Sequence, residues 1–215
     1  MDWNEQLSSL DGTQALACAI ASYALGCFAT GYHLVRIRLN RDIREFESGS
    51  TGARNVGRLL GRSGFILTLL GDFVKGAFAV AATHHLTGNT LLGALALICV
   101  VTGHIWPATL GFRGGKGVAT SLGGILIFDW RLAVAFTACF AIGYAFIRKS
   151  TLPAMLAYIG LPMICFWRHR DVPEAAALTI LAALVLLAHR QNILTEFSAL
   201  NPRRGLAEKH QHTKP

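Results

Sequence analysis

Charge is scarce in this chain of 215 residues: Asp, Glu, Lys and Arg together make up 15%, against roughly 25% in ordinary soluble domains. That scarcity argues against a disordered protein, a coiled coil and an ordinary soluble enzyme. Fixed-period repeats and low-complexity segments are missing. No two of the five cysteines, Cys18, Cys27, Cys99, Cys139 and Cys165, form a Cys-x-x-Cys pair, and all lie in apolar stretches. They read as buried free thiols rather than a redox or metal centre. There is no His-Glu-x-x-His, no Ser-His-Asp order and no Gly-x-Ser-x-Gly elbow. His210 and His212, the remaining metal-ligand candidates, read as part of a solvated tail. The start of the chain carries Asp2, Glu5 and Asp11 with no basic residue, so it lacks the positive flank of a signal peptide.

What the chain has in abundance is apolar side chain, at 53%, with a mean hydropathy of +0.44. The length fits one domain. Apolar segments run at 14–35, 64–86, 89–112, 131–147, 151–167 and 173–189, with a shorter one at 118–129. The fold class expected is an all-α polytopic membrane protein with about seven transmembrane helices, some of them short. Residues 1–200 form the single transmembrane domain and 201–215 a basic cytoplasmic tail. With the N-terminus outside, the inner loops and tail hold sixteen Lys and Arg and the outer segments only Arg131, Arg168 and Arg170. Sixteen against three favours N-outside and C-inside. Trp106, Trp130 and Trp167 fall near span ends, as interfacial aromatics do. Net charge is +8. Nucleic acid needs a soluble basic face, which this chain lacks, so an anionic lipid surface and an anionic substrate stay open.

Polar chemistry is confined to a few places, mostly on the inner face. The stretch Ser48-Gly49-Ser50-Thr51-Gly52-Ala53-Arg54-Asn55-Val56-Gly57-Arg58 combines backbone amides, hydroxyls and guanidinium forks, which suit phosphate. Gly111-Phe-Arg-Gly114-Gly115-Lys116-Gly117-Val-Ala-Thr120 sets three glycines around one lysine, ahead of a short helix expected near Val118. The helix would add its N-terminal dipole. It is no Walker A loop: position 110 is Leu, and Gly117 follows the lysine. His189-Arg-Gln-Asn192 puts two polar side chains three apart on one helix face. Asp72 and Lys75, also three apart, lie inside a span, where an unpaired charge costs roughly 2.5–3.5 kcal/mol. They read as a buried ion pair or a proton relay. These groups make a site for one or two phosphates, with an apolar groove for a lipid chain. A lipid-phosphate enzyme and an anion transporter both fit.

At these residues the chain resembles the bacterial membrane acyl-phosphate:glycerol-3-phosphate acyltransferases, the PlsY family. The likeness runs from Gly31-Tyr32 to Asn192. It is carried by Asp42-Ile-Arg44 with Ser48-Gly49, Gly52-Ala53, Asn55 and Arg58, then by Asp72-x-x-Lys75-Gly76. Gly103-His-x-x-Pro107, Phe112-Arg-Gly-Gly-Lys-Gly-Val-Ala-Thr120 and His189-x-x-Asn192-Ile193 complete it. The resemblance implies transfer of a fatty acyl group from acyl phosphate to glycerol 3-phosphate, giving lysophosphatidic acid and phosphate in phospholipid synthesis. Its partners would be those substrates and membrane lipid, with no nucleic acid, no metal and no organic cofactor. The site would face the cytoplasm from the bacterial inner membrane. It implies that Ser48, Arg58, Lys116, His189 and Asn192 are the catalytic set. Gly49, Gly52, Asn55, Gly114, Gly115, Gly117 and Thr151 would bind substrate and its phosphate, with Thr151 where the family commonly has a serine.

The chain departs from that pattern at Glu47 for Gly, Ser50 for Asn and Arg54 for Thr. After Asn192 the usual Arg-Leu and the later Gly-x-Glu are replaced by Leu194-Thr-Glu196-Phe and a basic tail. Arg54 leaves room for a different phosphorylated acceptor, and a non-catalytic anion transporter or binding protein remains the alternative outside enzymology.

Overall fold

A computed structural model describes residue 8, residues 10–169 and residues 171–200. Arg170 and the tail that carries Arg203, Arg204, Lys209, His210, His212 and Lys214 lie outside the described residues, as do Asp2 and Glu5. The described chain is helical: α1 Gly12–Cys27, α2 Thr30–Leu39, α3 Ala53–Thr87, α4 Thr90–Ile105, α5 Val118–Phe128, α6 Trp130–Ile147, α7 Thr151–His169 and α8 Val172–Leu200. Two short 3₁₀ turns, Ile43–Glu45 and Ala108–Leu110, sit in the connections. Among the described residues, six stretches are long and apolar enough to cross a membrane, with α1 and α2 counting as one.

The helix boundaries follow local chemistry. The side chains of Asp11, Asn89 and Asp129 accept from backbone N–H groups one turn in, at the starts of α1, α4 and α6. Pro107 ends α4 by excluding Trp106 from the helical region, so the apolar stretch 89–112 stops being α-helix at Ile105. Gly61 breaks α3 internally at φ 71 and ψ −162, a region open in practice to glycine alone. The arm Ala53–Leu60 therefore leaves the axis of the span that follows, and it carries Arg54 and Arg58 with it. Helix α8 outruns its apolar segment and continues to Leu200. His189 and Asn192 consequently both sit on its helical surface rather than in a loop.

Helix α4 forms the central span: 61% of the most apolar stretch within Thr90–Leu110 is buried, against 17% for α6. The core runs through Val80, Leu97, Val100, Val101, Ile125, Tyr158, Leu161, Leu178, Leu181 and Val185. Tyr158 satisfies its hydroxyl on Ser121 of α5 and packs its ring on Phe136. Outer faces show Phe78, Leu86, Phe146, Met163, Trp167 and Leu194 well exposed, an apolar surface suited to lipid and costly in water. Helix α5, with 11 residues, is about 16 Å long and cannot cross a hydrocarbon core of about 30 Å alone. It packs within the bundle against α3, α4 and α6.

The first span is itself broken at Phe28–Ala29, between α1 and α2. A break inside an apolar bundle strips backbone carbonyls of partners. Lys75 of α3 supplies them: Nζ donates to Phe28 O at 2.6 Å and Gly26 O at 3.2 Å. The same ammonium lies 3.0 Å from Asp72 Oδ1 and 2.8 Å from His104 Nδ1. Asp72 also accepts from Thr30 Oγ1, at 3.1 Å. The expectation of a buried ion pair thus holds, and the pair stitches the broken span to α3 and α4.

Lys75→Met would leave the Asp72 carboxylate buried without its cation and two carbonyls without a donor. Removing one partner of a buried pair costs about 3–5 kcal/mol. The expected result is a clear drop in thermal unfolding temperature in detergent, with no such drop for the exposed Lys149→Met.

Candidate active site

The chain alternates ends, so one end of the bundle collects the C-termini of α2, α4, α6 and α8 and the N-termini of α3, α5 and α7. The longer connections gather there, while Gly88–Asn89, Asp129 and Asp171 lie at the other end. Every residue implicated by the resemblance falls at the first end.

The 43–52 segment is wound around one side chain. Asn55, in the first turn of α3, points its carboxamide nitrogen at Ile43 O, Phe46 O and Ser50 O, at 3.2, 3.0 and 2.9 Å. Asn55 is 2% exposed, so it shapes the Ser48–Gly49 turn from beneath. Asp42 grips Arg44, whose Nη1 donates to Leu110 O at 2.6 Å. Hydrogen bonding to that guanidinium holds the Asp42 carboxyl below the usual carboxylate range. A second tie, Thr51 N to Gly114 O at 3.3 Å, joins this segment to the glycine-rich one.

The glycine-rich turn is held by the end of α4. Gly114 N donates to Ile105 O at 3.1 Å and Gly115 N to His104 O at 3.0 Å. Gly115 lies so close to His104 that any Cβ there would collide with the imidazole. Gly117, at φ 85, caps α5, which starts at Val118 as its sequence implies.

Ser48, Gly49, Ser50, Gly114, Gly115 and Lys116 line a cavity of about 180 Å³, which Trp106, Arg113 and Arg190 also edge. Lys116 crosses it toward α8 and donates to Asn192 Oδ1 at 2.5 Å. Burial, together with the positive charges of Arg54 and Arg58, holds the Lys116 ammonium below the usual lysine range. Arg58 lies 3.6 Å from Glu47, with both side chains more than half exposed. An ion pair so exposed contributes little. Arg54 donates to Ser150 Oγ at 2.8 Å. It thereby spans from α3 to the connection before α7.

His189 is buried beside this set, and its Nδ1 lies 2.9 Å from Val185 O. A carbonyl only accepts, so Nδ1 carries the proton and Nε2 of the neutral ring is an acceptor. Neither His189 nor Asn192 lines the cavity itself, though Ala188 and Arg190 do. Gly52, Asn55, Arg58, Gly117 and Thr151 also stand back from it. Thr151 is 3% exposed at the start of α7. Its backbone N and that of Leu152 donate to Glu196 of α8, at 3.3 and 3.1 Å. Glu196 therefore caps α7 across the helix pair.

Sequence reasoning placed Ser48, Lys116 and the glycines together and missed Trp106, Arg113 and Arg190 as parts of the cavity wall. Arg190 looked like a helix flank and Trp106 like an interfacial anchor; both edge the cavity. Arg54 stood out as a departure, but its reach to Ser150 depends on the Gly61 bend. The arrangement gathers hydroxyl, amide and cationic donors with a single exposed carboxylate among them, the chemistry of a site for phosphate.

Comparison with known proteins gives one answer. The family model described as glycerol-3-phosphate acyltransferase matches residues 16–198. Glycerol-3-phosphate acyltransferase 1 of Desulfitobacterium hafniense is 44% identical over 185 residues, covering 86% of this chain and 92% of that protein. The corresponding acyltransferase 1 of Bacillus cereus is 37% identical, covering 80% of this chain and 94% of its own. Among solved structures, the glycerol 3-phosphate form of the integral membrane acyltransferase PlsY (YgiH) superposes with a TM-score of 0.80 at 28% identity. It covers 86% of this chain and 92% of that one. The lysophosphatidic acid form gives 0.77 at 27%.

Arg54→Gln should lower the affinity for inorganic phosphate and yet move the alkaline limb of binding to higher pH. One of the charges that depress the Lys116 pKa is then gone, so the ammonium survives further into the alkaline range. Phosphate titrations across pH read both effects; an unmoved limb would separate Arg54 from Lys116.

Proposed function

The chain belongs to the glycerol-3-phosphate acyltransferase family, and from that premise we propose that its cationic end takes an acyl phosphate and glycerol 3-phosphate side by side. The protein is a membrane-embedded acyltransferase of phospholipid synthesis. The observation that carries the donor and acceptor assignment is one cavity edged by Lys116, Arg113 and Arg190 beside the Ser48 and Ser50 hydroxyls, with Arg54 and Arg58 near enough to act on the Lys116 charge. Cations so outnumber carboxylates there that they are poorly balanced alone and well balanced by two phosphates.

In this reading the Gly114–Gly117 turn and Lys116 hold the phosphate of glycerol 3-phosphate. Asn192 fixes the Lys116 ammonium. Ser48 faces the same cavity, and its hydroxyl takes a substrate oxygen. Arg58 and Arg54 take the phosphate of the donor, with Arg58 leaving Glu47 for the stronger anion. Asn55 and Thr151 act through the backbone they anchor.

An acyl phosphate is a mixed anhydride, so its carbonyl carbon is already activated and phosphate is a good leaving group. The enzyme needs no covalent nucleophile. Holding the glycerol hydroxyl about 3 Å from the acyl carbon converts encounter into reaction. His189 Nε2 accepts a hydrogen bond from that hydroxyl and orients its oxygen. As the ester C–O bond forms, the anhydride C–O bond breaks, and the hydroxyl proton ends on the released phosphate. The guanidinium groups stabilise the charge that gathers on the departing phosphate.

The site faces the cytoplasm from the bacterial inner membrane, a placement supported by the sixteen cations that fall on one side and the three on the other. The 201–215 tail joins that side. Arg54 favours a second reading of the acceptor, in which a more highly charged polyol phosphate replaces glycerol 3-phosphate. One-sided cations suit neither a two-sided anion path nor transport.

Purified protein given acyl phosphate and glycerol 3-phosphate should release lysophosphatidic acid and phosphate, and acyl-CoA should not replace the donor. Lys116→Ala and Asn192→Ala should each lower the rate at least a hundredfold. Near-normal rates in either variant would remove that residue from the site, and competition by other polyol phosphates reads the acceptor.

A further inference from the structure

One buried group touches the phosphate turn without lining the cavity. His104 is 3% exposed, near the end of α4, and faces in two directions at once. Toward the membrane interior, Nδ1 lies 2.8 Å from Lys75 Nζ. Three ammonium hydrogens face four acceptors, so one is shared; no N–H can point at an ammonium, so Nδ1 faces it with its lone pair and the ring proton of the neutral imidazole resides on Nε2. Toward the site, the Nε2 edge of the ring is the surface on which Gly115 rests; a Cβ at Gly115 would meet Nε2, Cε1 and Cδ2 before any other atoms. The backbone of the same residue completes the seat, since His104 O accepts from Gly115 N at 3.0 Å.

The orientation of the ring is fixed from below. Lys75 is itself tied to Asp72, Gly26 O and Phe28 O, so the ammonium has little freedom to follow a displaced imidazole. The end of α4 is pinned from the other side as well: Tyr23 Oη donates to Trp106 O at 2.9 Å and Thr109 Oγ1 to Cys27 O at 3.3 Å.

We propose that His104 is a positioning residue for glycerol 3-phosphate: clamped at Nδ1 by Lys75, its ring sets the height and tilt of the Gly114–Lys116 turn, which aims the Lys116 ammonium at the acceptor phosphate. The proposal rests on the reading that this turn, and not the Ser48 turn, holds that phosphate. His104 makes no contact with substrate. Its effect is transmitted through Gly115, whose missing side chain allows the ring to lie against the backbone.

The two ring nitrogens have different tasks, and that separates positioning from bulk packing. In His104→Asn the side-chain oxygen falls near the place of Nδ1 and still accepts from Lys75. In His104→Gln the polar end falls near Nε2 and the Lys75 contact is lost. His104→Ala removes both.

The experiment measures glycerol 3-phosphate binding by calorimetry on the purified full chain in detergent, with KM for both substrates in parallel. Expected for His104→Asn, which keeps the Lys75 contact but leaves no ring edge beneath Gly115, is a rise of at least tenfold in the dissociation constant with an unfolding temperature near that of the unaltered chain. Expected for His104→Gln and His104→Ala is a rise of at least tenfold in that constant and in KM for glycerol 3-phosphate. KM for acyl phosphate should stay within threefold throughout. An unchanged dissociation constant in His104→Asn, or both KM values rising together as general loosening would produce, would overturn the proposal. So would failure of all three variants to fold, which would give His104 a role in holding the bundle. Should only the alanine variant fail, the asparagine variant decides. If the unaltered chain binds no glycerol 3-phosphate, the functional reading falls first; if it binds and the variants bind as it does, only the role of His104 falls.

Discussion

A buried ammonium in an apolar bundle needs every one of its hydrogens placed, and the contacts of Lys75 show what the rest of this structure leans on. The ammonium is shared among Asp72, two carbonyls freed by the break in the first span, and His104. Each of those partners would be costly alone: a carboxylate at membrane depth, orphan carbonyls in hydrocarbon, an unpaired imidazole. Together they satisfy one another. A well-packed apolar replacement of such a pair is often as stable, so stability alone does not explain why the charge is there. Geometry gives a better reason. The cluster joins α1, α2, α3 and α4 at the depth where α4 turns outward into the glycine-rich segment.

From that depth outward, the site is built mostly from backbone. The ends of α2 and α4 and the starts of α3, α5 and α7 meet at one surface, so unsatisfied N–H and C=O groups are plentiful there. The fold assigns most of them before any ligand arrives: Asn55 collects three carbonyls, Arg44 takes Leu110 O, and Glu196 takes the first N–H groups of α7. The residues that perform this bookkeeping are polar, sit among the ligand-binding motifs, and are hard to tell from ligand contacts by type alone.

That difficulty marks the boundary of what the sequence discloses. The apolar segments locate the spans because lipid imposes a length and a hydropathy that little else mimics. Gly117 before Val118 reads as a helix start, and the start is there. Asp72 and Lys75 read as a pair because isolation at that depth is prohibitive. The break at Phe28–Ala29 is invisible, since Cys27-Phe-Ala-Thr30 is ordinary apolar sequence and the break is stabilised by a lysine forty-seven residues away. The bend at Gly61 is one glycine among 22, and its backbone angles carry no separate signature. The apolar segment 173–189 stops where polarity begins; polarity there marks a membrane surface, and helix α8 continues beyond it. Asn192 and Glu196 depend on that continuation, since in a loop neither would be fixed opposite Lys116 or α7.

The bend at Gly61 also bears on how the charges are loaded. Without it, Arg54 and Arg58 would continue the axis of an apolar span. With it, the arm that carries them forms its own short segment, linked to the α6–α7 connection by Arg54 and Ser150 and to the Ser48 turn by Glu47 and Arg58. Neither link is strong. One is a single neutral acceptor at an exposed site and the other an exposed pair at 3.6 Å. Lys116, by contrast, is half-buried and held from α8 by Asn192. The site therefore has a fixed cation on a rigid turn and adjustable cations on an arm. That division suits two phosphates of unequal freedom: a small polar acceptor that must be held at a defined height, and a donor whose acyl chain already restricts it to the membrane.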